Sequence, residues 1–187
     1  MSAKVLIAED EAIIRLDLKE MLEEEGYEVV GEAADGDAAL RLATERKPDL
    51  VIMDIKMPGT DGLSAAERLV ADDVAAVLVL TAFSQKELVR RAAEAGAMGY
   101  VVKPFQKSDL VPAIEIALAR YQQLKAVKQE AHSLAEQLET RKIVDRAKGR
   151  LMDERGLTEA AAFRLIQKRA MDERRTMRAV AQEILDA

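Results

Sequence analysis

The 187-residue chain contains no cysteine, which excludes disulfides, thiolate metal sites and a cysteine nucleophile. Its single histidine, His132, has no histidine or cysteine near it in sequence and reads as a surface residue, not a metal ligand. No apolar run approaches the roughly 18 residues of a membrane span. Met1-Ser2-Ala3-Lys4 leads straight into an apolar segment with no signal-type stretch before it, so a cytoplasmic protein without membrane contact is expected. Proline stops at Pro112, and no glycine occurs between Ser108 and Gly149, so the usual helix breakers are missing from the middle of the chain. Aromatics make up 3% of residues, and Phe163 is the one aromatic in the last 48. Phe163 is expected in the core, which leaves that region no platform for stacking on bases.

What is present is enough apolar residue, 49%, for a real core, and a length too great for one small domain and too short for two large ones. The net charge of −6 is unevenly spread. Residues 140–187 carry 12 Lys+Arg against 8 Asp+Glu, while the other 139 residues carry 16 against 26. An acidic front and a mildly basic tail argue for different partners.

The first 105 residues alternate short apolar runs with helical segments. The runs are Lys4–Ala8, Glu28–Ala33, Leu50–Met53, Ala76–Thr81 and Gly99–Val102. The helices between them run from about Ala12 to Glu25, with Ile14, Leu18, Met21 and Leu22 inward and closed by Gly26, then over Asp35–Arg46, Leu63–Ala71 and Gln85–Ala95. Ser84 is the expected cap of the last. Five such units predict an α/β fold, a doubly wound five-stranded parallel sheet. In such a sheet ligands bind beyond the carboxyl ends of the strands. Those ends carry Glu9 and Asp10, Asp54, Thr81, and Lys103. Three acids in one crevice suit a divalent cation such as Mg²⁺, and Asp54 is a natural nucleophile toward a phosphoryl group. Thr81 can hydrogen-bond a phosphate oxygen, Ala82 leaves room for the group, and Lys103 supplies a point charge.

After Lys103-Pro104 the strands cease. Ser108 is a candidate N-cap, and Pro112 lies in or near the first turn of a long helix. Leu110, Ile114, Ala117, Tyr121, Leu124, Lys128, Ala131, Ala135 and Leu138 follow heptad spacing. This seam is either a route to self-association or one amphipathic helix lying partly on its own domain. The helix continues through Ile143, Val144, Ala147, Leu151 and Met152 to a break at Arg155-Gly156-Leu157. Thr158 and Thr176 then cap two further short helices, and their alanine-rich inner faces predict close packing. The eight methionines read mostly as core. From charge alone the tail is either a solvated helical surface or a nucleic-acid site.

The residues Glu9-Asp10, Met53-Asp54-Ile55-Lys56-Met57-Pro58-Gly59, Thr81-Ala82 and Tyr100-Val101-Val102-Lys103-Pro104 resemble the receiver domain of two-component response regulators. The resemblance covers residues 4 to about 120. It implies a flavodoxin-like receiver phosphorylated on Asp54 by a sensor histidine kinase. It implies Mg²⁺ held by Glu9, Asp10, Asp54 and the main-chain carbonyl of Lys56. It also implies a switch in which Thr81 moves toward the phosphate and Tyr100 turns inward, and a cis Lys103–Pro104 bond. Such a protein is a phosphoacceptor that takes part in its own phosphorylation and dephosphorylation, not a conventional enzyme.

The run Arg141 to Met152, with Ala147-Lys148-Gly149, and then Ala161 to Leu165, Arg169-Ala170-Met171-Asp172 and Thr176 to Leu185, resemble the ANTAR domain, an RNA-binding antitermination module. This implies binding to hairpins in nascent transcripts, often by a homodimer. The candidate RNA contacts are Lys148, Arg150, Arg164, Lys168, Arg169, Arg174 and Arg175. Gly149 inside a helix suggests close packing there. The expected organisation is a receiver at 1–120, a helical linker and possible coiled coil at 121–139, and a three-helix RNA-binding domain at 140–187. Two other outputs remain open: a DNA-binding response regulator, and a protein-interaction switch without nucleic acid.

Overall fold

A computed structural model describes residues 2–82 and 86–186. The chain divides into two compact units, residues 1–124 and 125–187. The first contains β1 (Lys4–Ala8), α1 (Ala12–Glu24), β2 (Glu28–Ala33), α2 (Gly36–Arg46), β3 (Leu50–Asp54), α3 (Gly62–Ala71), β4 (Ala76–Thr81), α4 (Lys86–Glu94) and β5 (Gly99–Val102). It also contains the first part of α5 (Lys107–Arg155). The expected cap Ser84 and the residue Gln85 lie outside the described residues.

All strand pairs are parallel, in the order β2-β1-β3-β4-β5. The central runs are apolar at every position because both faces are covered. Val5, Ile7, Leu50, Ile52, Leu78 and Leu80 pack with Leu18, Leu22, Leu110 and Ile114 of α1 and α5. Leu6, Val51, Met53, Val77 and Val79 pack on the opposite face with α2 and α3. Full burial of each large aliphatic chain contributes about 1.5–3 kcal/mol, so the three inner strands are the least displaceable part of the unit.

The helix ends follow local chemistry. Gly26, at φ 84°, closes α1 while its N–H reaches Glu23 O at 3.0 Å. Asp35 and Asp61 cap α2 and α3 with their carboxylates. The long helix begins at Lys107, so the expected cap Ser108 lies inside it as its second residue, and Asp109 Oδ2 accepts the Gln106 N–H at 3.0 Å. This is the reciprocal half of a capping box, in which the third helical residue satisfies the N–H of the entry residue, and Ser108 does not act as the cap.

The second unit is a three-helix bundle of the distal part of α5, α6 (Glu159–Asp172) and α7 (Met177–Asp186). Val144, Ala147, Leu151, Ala162, Ile166, Ala170, Val180 and Ala181 form its core. Four alanines there confirm close packing of the helices. Thr158 Oγ1 and Thr176 Oγ1 accept from Ala161 N and Ala179 N at 3.3 and 3.2 Å. Two expectations fail, while the methionines are mostly core as expected, Met53 and Met57 buried and Met21, Met98 and Met177 packed against the cores. Phe163 is 40% exposed, because small side chains already fill the inner face of α6. Met152 and Met171 are exposed as well. An added Cβ at Gly149 would meet nothing within 4 Å, so that glycine serves no close approach.

The heptad seam also divides. Leu110, Ile114, Ala117 and Tyr121 are buried in the core of the first unit. Beyond them Lys128, Ala131 and Ala135 face solvent. Val127, Leu134 and Leu138 are the large exposed apolar residues of the 125–140 stretch. No helix among the described residues is long and apolar enough to cross a membrane.

Candidate functional site

Strand register builds the site. Ala8 pairs with Met53, Asp54 with Leu80, and Thr81 with Val102, so four carboxyl ends finish level. Main-chain hydrogen bonds extend the ladder past them: Glu9 N to Ala33 O at 3.0 Å, Ile55 N to Leu80 O at 3.1 Å, and Lys103 N to Thr81 O at 2.8 Å. The functional side chains therefore leave a rigid edge, next to the point where β1 parts β2 from β3.

At that edge Lys103 Nζ lies 2.9 Å from Asp54 Oδ2 and 2.6 Å from Glu9 Oε2. The contact with Asp54 is a hydrogen bond. The contact with Glu9 is an ion pair in which the Lys103 ammonium faces an oxygen of a fully buried carboxylate. Burial pushes the Glu9 carboxyl above the usual carboxylate range, and Asp54 adds to this against the opposing effect of Lys103. For Lys103 burial works against the charge, but Asp54 and Glu9 outweigh it and its pKa is raised.

One ligand oxygen each from Glu9, Asp10 and Asp54 falls within 4.8 Å of the others. This is an oxygen-only donor set of three carboxylates, and it fits a hard divalent cation. A cavity of about 150 Å³ opens beside it, lined by Asp10, Asp54, Lys56, Thr81, Ala82 and Lys103. Lys56 N approaches Asp54 Oδ1 at 3.4 Å. Thr81 is buried, while Tyr100 stands 47% exposed at the next strand. The Lys103–Pro104 bond is cis.

Two residues of this site carry no sequence signal of their role. Arg15 Nη1 donates to Glu9 O at 2.6 Å and Asp10 O at 3.4 Å, fixing the backbone of the acid pair from one turn into α1. Gly62 packs so tightly that an added Cβ would lie 1.8 Å from Asp54 O. Only its position in a turn was visible in the sequence.

The candidate RNA contacts separate into two sets. Lys148 is 14% exposed and bridges Asp145 and Glu159 at 2.7 Å each. Arg150 Nη1 donates to Ile184 O and Leu185 O at 3.0 and 2.7 Å, tying α5 to the end of α7. Arg169 and Arg175 both pair with Glu173 and Glu183. Arg164, Lys168 and Arg174 are exposed and make no ion pair among the described residues. Arg164 and Lys168 line a groove of about 600 Å³ with Arg155 and Arg169.

Comparison with known proteins finds two domain families in the chain. The response regulator receiver domain family matches residues 5–115, and the ANTAR domain family matches residues 132–185. The transcriptional regulatory protein PdtaR of Mycobacterium tuberculosis is 60% identical over 148 residues, 79% of this chain and 72% of the relative. The chemotaxis protein CheY of Thermotoga maritima is 42% identical over 115 residues, covering 61% of this chain and 96% of CheY. Among solved structures, the complex of CheX, CheY, BeF3 and Mg²⁺ from Borrelia burgdorferi gives a TM-score of 0.57. It shares 27% identity over 60% of this chain and 86% of that one. The signal receiver domain of a modulated diguanylate cyclase from Desulfovibrio desulfuricans gives 0.61, with 32% identity over 65% and 98%.

Proposed function

Because the chain belongs to the response regulators, with a receiver domain followed by an ANTAR domain, we propose that it is a phosphorylation-controlled RNA-binding protein acting in transcription antitermination. The observation that carries the first half is the cluster at the level strand ends, where Asp54 lies against Lys103 beside a cavity fit for a phosphoryl group. The donor is a phosphohistidine on a sensor histidine kinase. Asp54 forms the new O–P bond as the N–P bond breaks, and the imidazole departs with the electron pair. Glu9, Asp10, Asp54 and the Lys56 carbonyl would hold Mg²⁺, which supplies charge to offset the phosphoryl oxygens. A CheY relative has been solved with BeF3 and Mg²⁺, which supports the same cofactor here.

Lys103 starts 2.9 Å from Asp54 and shifts its hydrogen bond to a phosphoryl oxygen. Thr81 donates its hydroxyl to another. Tyr100, half-exposed before the event, turns toward the space Thr81 leaves.

The second half rests on the basic, helical C-terminal unit. Its partners are RNA hairpins, and Val127, Ala131, Leu134 and Leu138, at heptad spacing, are the seam we assign to a second copy. The organisation is a receiver at 1–120, a linker at 121–139 and an RNA-binding domain at 140–187, in a cytoplasmic protein.

Intact-mass measurement tests the site. Mg²⁺ with acetyl phosphate adds one phosphoryl group to the wild type and none to Asp54→Asn, and an unmodified wild type overturns the assignment. Competition between hairpin RNA and duplex DNA at one fixed salt concentration tests the output. Preference for DNA makes the protein a DNA-binding regulator, and failure to bind either makes it a protein-interaction switch.

A further inference from the structure

Helix α6 turns one face into the bundle and the other to solvent. Ala162, Ile166 and Ala170 enter the bundle core. Phe163, Arg164, Gln167, Lys168 and Met171 face solvent. From Ala160 to Met171 the helix contains three cations and no acid, in a chain whose overall charge is −6. Arg164 and Lys168 stand one turn apart and share with Arg155 and Arg169 a groove that Asp172 and Glu173 also line; Arg155, Arg164 and Lys168 spend no charge on an ion pair among the described residues. This distinguishes them from Lys148, Arg150, Arg169 and Arg175, which hold the bundle together.

Phe163 adds a second kind of chemistry. It is the largest apolar side chain of the unit, and it stays 40% exposed while alanines occupy the core. It lines a groove of about 580 Å³ with Thr140, Arg141, Val144 and Met177. Phe163 precedes Arg164 on the solvent side of α6 but lines a separate groove, so one helix carries both an exposed aromatic ring and unpaired cations, and nucleic acid uses both, since phosphates need cations and an unstacked base needs a flat apolar partner.

We infer that the outward face of α6 is the RNA-reading surface: Arg155, Arg164 and Lys168 take backbone phosphates, and Phe163 stacks on an unpaired base of the hairpin loop. This rests on the RNA-binding reading above and names the contacts within it. Phosphate contacts at three cations give affinity without sequence. The stacked base restricts binding to RNA that offers an unpaired nucleotide at the right distance from a paired stem, and so separates a hairpin from a plain duplex.

The chain has no tryptophan, so Phe163→Trp in the full chain introduces a single indole reporter on this face. Hairpins are first enriched by the phosphorylated wild type from a pool with a fixed stem and a randomised loop. On adding an enriched hairpin, the indole emission of Phe163→Trp is quenched with affinity close to wild type. The same hairpin with abasic loop positions binds without quenching. Phe163→Ala lowers affinity about tenfold, within the range of losing one stacked base. Arg164→Gln and Lys168→Gln each reduce the slope of log affinity against log salt by roughly 1, with the helical circular dichroism of the wild type retained.

Unchanged emission together with wild-type affinity in Phe163→Ala overturns the stacking assignment. Unchanged salt slopes overturn the phosphate assignment. Emission that depends on protein concentration without RNA makes the face a contact between copies and overturns both. If no hairpin is enriched from the pool, the RNA-binding reading itself fails.

Discussion

Substituting Gly62 by alanine tests how far the position of the phosphoacceptor depends on backbone packing. An added Cβ at Gly62 would sit 1.8 Å from Asp54 O, 2.8 Å from Asp54 C and 3.0 Å from Ile55 Cα. All three are main-chain atoms of the strand end, so no side-chain rotation relieves them. To reach even the 3.0 Å lower limit of real contacts, the loop must retreat from Asp54 by about 1.2 Å. That retreat stretches the Gly62 N–H to Ile55 O hydrogen bond, now 3.0 Å. Overpacking of this kind costs about 1–3 kcal/mol, and a lost main-chain hydrogen bond costs about 1 kcal/mol more. A receiver of this size should melt roughly 10 °C lower. A displacement near 1 Å at the reacting group costs on the order of 100-fold in rate. Thermal melting by circular dichroism reads the first effect. Acetyl phosphate labelling at a temperature where the variant is folded reads the second. A Gly62→Ala protein that melts with the wild type and is labelled at the same rate would refute the reasoning that this contact holds Asp54 in place.

Three further outcomes follow from the same reasoning. Gly149→Ala should stabilise the C-terminal unit by about 1 kcal/mol, because the added methyl meets open space and the helix gains propensity; slower amide exchange in α5 around residue 149 checks it. Arg150→Ala should destabilise that unit by about 1–2 kcal/mol, since it strips a charged donor from Ile184 O and Leu185 O, and exchange should accelerate in α7. Asp61 has its pKa lowered, first by the Ser64 hydroxyl and also by the Ser64 and Leu63 N–H groups. Its contribution is therefore full above the ordinary value of 3.8 and is lost as pH falls through the lower folded value. The melting difference between wild type and Asp61→Asn, which keeps an acceptor but does not titrate, should shrink on acidification below that range; a constant difference contradicts the cap's role.

The receiver site was legible in the sequence because its chemistry sits at the ends of buried strands. An apolar run of four residues fixes both the strand and the place where it stops, and parallel pairing aligns the stops. Glu9, Asp54, Thr81 and Lys103 meet for that reason. Gly62 and Arg15 were not legible as site residues, since their roles depend on how closely a loop and a helix turn pass the strand ends. Charge in the tail is harder to read for a related reason. Lys148, Arg150, Arg169 and Arg175 look available in one dimension, but folding brings each against a carboxylate or a helix-end carbonyl. Phe163 was assigned to the core on its hydrophobicity, while Ala162 and Ile166 take the inward positions. A helical wheel drawn on the observed core residues places Phe163 on the rim. The heptad pattern continued through residues already used by the first unit's own core, which periodicity alone does not separate from a free seam.

In the function proposed above, the state of Asp54 sets RNA affinity. The measurement is the dissociation constant of an enriched hairpin for the full chain, with Mg²⁺ present throughout and acetyl phosphate added or withheld, in wild type and Asp54→Asn. The phosphorylated wild type should bind tighter by at least about fivefold, the lower end of ordinary coupling between sites, and Asp54→Asn should not respond. Equal affinity of the phosphorylated and unphosphorylated wild type, with phosphorylation verified by mass, would contradict it.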